Sequence, residues 1–268
     1  MNQPIGVFDS GVGGLTVVKE LFYQLPNERI VYLGDTARVP YGTKSKSTII
    51  KFTLENILFL LKNNVKLVVI ACNTSSSLAL EEVRKYFRIP IVGVISPGAK
   101  EAVYATKNKR IGVIGTPATI ASLAYEIEIK KFSPDVKVIS KPTPLFVPLV
   151  EEGMINNPIT YKIAQIYLND FKKENVDTLV LGCTHYPLLK SVIRKVMGRR
   201  INIVDSARQV VYEVKEILKN ENLAASSKIK GAPQHTFFVT DAVETFLKVA
   251  RNFLKNSLKD VRKVEYGF

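Results

Sequence analysis

The chain has 268 residues, 46% of them hydrophobic, and 38 Lys plus Arg against 24 Asp plus Glu give a net charge of +14. That length suits one large α/β domain or two ordinary lobes, and that hydrophobic content excludes global disorder. Two cysteines are too few for a secreted disulfide scaffold, no apolar run nears the roughly 18 residues that span a bilayer, and no RNP, zinc-finger or basic-zipper pattern accompanies the lysines.

Met1 to Phe8 lacks a basic region followed by a long apolar stretch, so no signal peptide is expected, and the cytoplasm is the expected compartment. The lysines are spread along the whole chain and read as a solvated surface. No membrane or nucleic-acid partner is expected from them, although the charge can attract an anionic small molecule at long range.

In chain order, Ile5–Phe8 reads as a buried strand, followed by the turn Asp9-Ser10-Gly11-Val12-Gly13-Gly14. Leu15, Val18, Leu21, Phe22 and Leu25 then fall at helical spacing until Pro26 stops them. Ile30–Leu33 is a second strand, and a long helix spans about 47–63. The apolar run Leu67–Ala71, a strand covered on both faces, ends at Cys72, and Ile91–Val94 closes the set.

The pattern then starts again. Asn64 to Cys72 lies over Asn175 to Cys183 at an offset of 111, and Ile5-Gly6-Val7-Phe8 resembles Ile111-Gly112-Val113-Ile114 at an offset of 106. The second copy adds a strand at Val136–Ile139, a helix over about 158–174 and a strand at Ile201–Val204. Strands alternating with helices predict parallel sheets flanked by helices, here an α/β protein of two lobes related by a pseudo-two-fold. The segment from about Ala207 reads as helix, strand (Thr236–Val239) and helix, without a partner in the duplication. Tyr and Phe residues read as core.

Ligands of open α/β sheets sit beyond the carboxyl ends of the strands, where both cysteines fall. Two facing lobes put Cys72 and Cys183 on opposite sides of one cleft, which is what inversion of a carbon centre needs. One thiol removes a proton from one face, the other supplies one to the opposite face, and the roles exchange in reverse. Each cysteine precedes small polar residues and then a helical stretch: Asn73-Thr74-Ser75-Ser76 in one copy, Thr184-His185-Tyr186-Pro187 in the other. The expectation is that helix N-termini favour the thiolate. A zinc site is not expected, because Cys72, Cys183 and His185 lack paired C-x-x-C spacing, and no other metal site is expected.

Other positions carry two readings each. Asp9 is either a helix-start residue or a polar partner of Cys72. The Asp9–Gly14 turn lacks the G-x-G-x-x-G order of a dinucleotide site. Thr116 and Thr119 are either capping groups or substrate contacts. Pro40-Tyr41-Gly42 is either an ordinary turn or part of a pocket wall. Glu151 and Glu152 precede a helix, where glutamates are commonly solvated. His185 is either structural or a proton shuttle to Cys183, and His235 has no assigned role.

Several segments resemble the glutamate racemases of bacterial cell-wall synthesis, within the aspartate/glutamate racemase superfamily. They are Phe8 to Leu15, Gly34-Asp35 with Pro40-Tyr41-Gly42, Ala71-Cys72-Asn73-Thr74, Gly115-Thr116 with Thr119, and Leu181 to Leu188, in family order over nearly the whole chain. The resemblance implies interconversion of L- and D-glutamate without pyridoxal phosphate or metal, supplying D-glutamate for peptidoglycan. It implies that Cys72 deprotonates D-glutamate with help from Asp9, and that Cys183 deprotonates L-glutamate with help from Glu151 and His185. It implies that Ser10, Pro40, Tyr41, Gly42, Asn73, Thr74, Thr116, Thr119 and Thr184 hold the substrate with them. Nothing local separates Glu151 from Glu152. The family pattern returns the C-terminal segment to the first lobe, giving lobes 1–97 plus 207–268 and 98–206, and a homodimer is expected. Two other readings stand beside it: a sister enzyme acting on aspartate, which a panel of amino acids would reveal, and a basic nucleic-acid-binding protein, which salt-dependent binding would reveal.

Overall fold

The computed structural model describes residues 3–225, 233–254, 258 and 261–265. Met1 and Asn2 of the leader reading, and residues 226–232, 255–257, 259–260 and 266–268 of the C-terminal segment, lie outside the described residues.

The chain opens with β1 (Ile5–Asp9), α1 (Leu15–Gln24), β2 (Ile30–Gly34), α2 (Lys46–Lys62), β3 (Leu67–Ile70), α3 (Asn73–Leu78), α4 (Leu80–Val83) and β4 (Ile91–Gly93). It continues with α5 (Ile95–Ala105), β5 (Arg110–Gly115), α6 (Pro117–Ala121), α7 (Ala124–Phe132), β6 (Lys137–Pro142), α8 (Phe146–Glu151), α9 (Pro158–Lys173), β7 (Thr178–Gly182), α10 (Lys190–Met197) and β8 (Asn202–Val204). It ends with α11 (Ala207–Asn220), β9 (Thr236–Val239), α12 (Val243–Leu254) and β10 (Val261–Lys263). Contacts divide it into two compact units, Met1–Val94 with Ala207–Phe268, and Ile95–Ser206.

The first unit holds a parallel sheet of order β10-β9-β2-β1-β3-β4. The second holds a parallel sheet of order β6-β5-β7-β8. The run β2-β1-β3-β4 of the first sheet is thus repeated strand for strand in the second. Every residue of β1, β3 and β7 is buried, as strands covered by helices on both faces must be. The edge strand β6 has no fully buried residue.

Local chemistry sets the helices. In α1, Leu15, Val17, Val18 and Leu21 are buried against the sheet. Ser45 caps α2 by accepting the Thr48 N–H, and Asn157 caps α9 by accepting the Ile159 N–H at 2.8 Å, with Pro158 in the first turn. In the second unit Phe171 of α9 packs against Gly112 of β5, where a Cβ would come within 2.8 Å of its ring. The C-terminal return is tied to the base of the first sheet by a buried ion pair. Lys66 Nζ donates to Glu28 at 2.6 Å and to the Leu223 carbonyl at 2.7 Å, and the other Glu28 oxygen accepts the Ala225 N–H. Each charge is satisfied, as burial of an ion pair requires.

Some expectations are corrected. β3 stops at Ile70, two residues short of the cysteine, because Cys72 already takes the cap position of α3. The C-terminal segment adds a strand, β10. Several aromatics are not core: Tyr23 is 83% exposed, with Tyr86, Tyr104, Tyr212 and Phe132 also at the surface. His235 has a structural place, its Nδ1 accepting the Ile30 N–H and its ring 4.3 Å from that of Phe22. Among the described residues, no helix is long and apolar enough to cross a membrane.

Candidate active site

In the first unit the Cys72 neighbourhood forms where β1 and β3 end side by side. Phe8 pairs with Ile70, and two steps further the register reaches Ser10 and Cys72. Asp9 is fully buried, and its Oδ2 accepts the Gly11 N–H at 3.1 Å, which turns the chain back toward α1. The cap of α1 is Gly14, not Asp9. Gly14 is required for close approach: a Cβ there would sit 2.6 Å from the Asp9 Cβ and 3.1 Å from the Tyr32 hydroxyl. Tyr32 donates to the Gly11 carbonyl at 2.6 Å, and burial beside Asp9 and Cys72 keeps its phenol protonated.

Cys72 is 5% exposed and free. Burial, followed by the Asp9 charge, pushes its thiol up to about 12. The Ser75 N–H and the Ser10 and Ser75 hydroxyls pull the other way without prevailing. The expectation that a helix end makes Cys72 an easy thiolate is therefore overturned. A six-residue helix supplies little field, and desolvation of an anion is the larger effect. Asn73 and Thr74 follow at 3% and 2% exposure, and Ser76 is spent on the backbone, donating to Ile70 and accepting from Val94.

The Pro40-Tyr41-Gly42 segment belongs to the same unit. The Val39–Pro40 bond is cis, and Tyr41–Thr43 forms a single 3-10 turn. The Tyr41 phenol points inward at 2% exposure and donates to Asp35, and Gly42 beside it is buried as well.

In the second unit the strand ends match. Gly115 pairs with Gly182, and one further step reaches Thr116 and Cys183. Ser10 and Thr116 are thus equivalent hydroxyl residues beside equivalent cysteines. Gly182 allows the two strands to meet, since a Cβ would lie 2.7 Å from the Ile114 carbonyl. Thr116 caps α6 by accepting the Thr119 N–H at 3.2 Å, and the two hydroxyls are 2.9 Å apart. The helix after Cys183 starts later than expected. Thr184 and His185 lead into a 3-10 turn, Tyr186–Leu189, before α10 begins.

His185, 2% exposed, lies between two candidate groups. Its Nδ1 is 3.8 Å from the Cys183 Sγ and its Nε2 is 3.2 Å from Glu151 Oε1. Glu151 ends α8 with a side chain 35% exposed, whereas Glu152 faces solvent. The structure therefore separates the two glutamates that sequence could not. Tyr186 anchors this end, exchanging hydrogen bonds with the hydroxyl (2.8 Å) and carbonyl (3.1 Å) of Thr143 and packing edge-on against Phe146.

Two buried neighbours of these segments, Ser75 beside Cys72 and Asp35 beneath Tyr41, escaped sequence reasoning. Ser75 stood in a polar run without a role of its own, and Asp35 stood in a matching segment without one. A buried acid shows no periodicity, and only its position directly after a core strand could have marked it.

Each neighbourhood offers a thiol, a proton acceptor and a ring of hydroxyl and backbone N–H groups. That set can move a proton and hold an anion. The Asp/Glu/Hydantoin racemase family model matches residues 5–214. The glutamate racemase of Geobacter metallireducens is 48% identical over 262 residues, 98% of this chain and 96% of that one. That of Enterococcus faecalis is 47% identical over 252 residues, 94% and 92% of the two chains. The crystal structure of the Francisella tularensis glutamate racemase in complex with D-glutamate aligns with a TM-score of 0.92 at 40% identity, covering 99% of this chain and 98% of that one. Shared along nearly its whole length with such relatives, this sequence belongs to the Asp/Glu/Hydantoin racemase family and is an isomerase of amino acids.

Proposed function

We propose that the protein interconverts L- and D-glutamate without a cofactor, with Cys183 and Cys72 as the two bases, and that it supplies D-glutamate for peptidoglycan in the cytoplasm. The observation that carries this reading is the equivalence of the two thiols. Each sits just past the same strand of a duplicated sheet, with its own proton acceptor beside it.

For L-glutamate, the Cys183 thiolate takes the α-proton and Cys72, a protonated thiol at neutral pH, donates to the opposite face of the carbanion. The raised Cys72 pKa suits that acid step. For D-glutamate, Cys72 first passes its proton to Asp9 and then takes the α-proton, while Cys183 donates. On the other side, Glu151 lies 3.2 Å from His185 Nε2 and orients the imidazole, whose Nδ1 faces Cys183. Ser10, Asn73, Thr74, Thr116, Thr119 and Thr184, with the backbone of the Pro40–Gly42 turn, hold the amino and carboxylate groups. The units 1–94 with 207–268 and 95–206 act as the two lobes of the duplication.

Purified protein with L-glutamate in deuterium oxide should lose the ellipticity of glutamate and exchange its α-proton. Aspartate should react at least tenfold more slowly, a difference of about 1.4 kcal/mol in transition-state binding. Absence of exchange, or a preference for aspartate, defeats the reading.

A further inference from the structure

We propose that a buried cluster centred on Asp35, and completed by Thr240 from the C-terminal return, is a positioning device that presets the Tyr41–Gly42 turn for substrate. The inference rests on the reading that this turn holds the substrate.

Asp35 is fully buried directly after β2. Its Oδ2 accepts from the Tyr41 hydroxyl and from Arg38 Nε at 2.6 Å, and its Oδ1 accepts from the Thr240 hydroxyl at 3.1 Å. Arg38 reaches α2, pairing with Glu55 and donating to Asn56 at 3.2 Å, while its guanidinium lies 4.0 Å over the Phe52 ring. Asn56 donates in turn to the Tyr41 hydroxyl at 3.1 Å. Thr240 accepts the Ala37 N–H at 2.9 Å, and the next residue, Asp241, exchanges bonds with Thr36. The stretch 35–41 is therefore tied at its start to Thr240 and Asp241, just after β9, and through Arg38 and Tyr41 to α2.

Stability alone does not call for this arrangement, since apolar packing of similar volume serves a core equally well. What the polar cluster adds is geometry. Directional bonds fix the Tyr41 side chain inward, so that the backbone of the turn is held in one place. The equivalent position in the second sheet behaves alike. Asp35 N–H bonds the Asp9 carbonyl and Thr143 N–H bonds the Gly115 carbonyl, and Thr143 also grips a buried tyrosine hydroxyl, that of Tyr186. The first unit differs in recruiting a partner from outside the repeat: β9 has no counterpart in the four-stranded sheet. The unduplicated segment thus completes a substrate-facing turn.

The test compares T240V, which keeps shape and removes the hydroxyl, with T240S, which keeps the hydroxyl. T240V should raise KM for both glutamate enantiomers roughly five- to tenfold, the effect of losing one or two hydrogen bonds, with kcat changed less than about threefold. T240S should stay within about twofold of wild type in both parameters. A folded T240V with unchanged KM, or a T240S as impaired as T240V, overturns the proposal. Should T240V fail to fold, Y41F removes one oxygen from the same cluster, and the same rise in KM is expected. Wild-type protein inactive on glutamate would instead defeat the underlying function, a result visible in the control before any variant is compared.

Discussion

The surroundings of Cys72 and Cys183 share a scaffold and differ in chemistry. Both thiols follow the strand beside the central one, both stand beside a hydroxyl residue, and both are nearly buried. Yet Cys72 faces a fully buried carboxylate, Asp9, whereas Cys183 faces an imidazole backed by a partly exposed carboxylate. The strands and the sulfur positions match between the two units, and the groups beside the sulfurs do not.

That comparison can be broken most directly at the sulfurs. C72A and C183A should each lower racemisation at least about 10³-fold, because each removes a proton-transfer group needed in both directions. Full activity in either variant would mean that the two sites are not halves of one reaction. Next come the acceptors. D9N and H185N should each lower kcat by about 10²-fold, at the low end of general acid–base effects. The enantiomers have equal free energies in water, so kcat/KM must fall equally in the two directions. The difference between the neighbourhoods should appear instead in the α-deuterium isotope effect, larger for D-glutamate in D9N and for L-glutamate in H185N.

The third effect sharpens the assignment at α8. E151Q should lower kcat by roughly tenfold through loss of the carboxylate that orients His185, and E152Q should stay within about twofold. Equal effects would remove Glu151 from the relay. The fourth concerns pH. With Cys72 pushed up to about 12, its alkylation in the free enzyme, followed by mass spectrometry, should rise about tenfold per pH unit between pH 8 and 10 without a plateau. A plateau near 9 would show an ordinary thiol. The smallest effect is on stability. The unfolded chain releases the Cys72 proton near the ordinary 9.0 while the folded chain keeps it to about 12, so stability falls as pH rises through that window. C72S should flatten the slope of chemical-denaturation stability by at most about 1.4 kcal/mol per pH unit there, and leave it unchanged below pH 8.

Much of this was legible because it is local or periodic. The apolar runs that became β1, β3, β5 and β7, the helical spacing that ends at Pro26, and the recurrence of Asn-Val…Cys at an offset of 111 need no knowledge of distant contacts. They led to two parallel sheets with a cysteine at the end of the same strand in each. The thiol state of Cys72 was misread, since helix position is visible along the chain and desolvation is not.

Sequence by itself therefore determined the alternation of elements, the duplication and the places of the two sulfurs, all set by side-chain patterning over a few turns. Tertiary structure decided which glutamate meets His185, that the Tyr41 phenol turns inward, and that Thr240 closes on Asp35 from 205 residues away. The reason is physical. Those choices depend on which polar atoms arrive within about 3 Å of one another after the apolar faces have packed, and no period in the chain encodes that meeting.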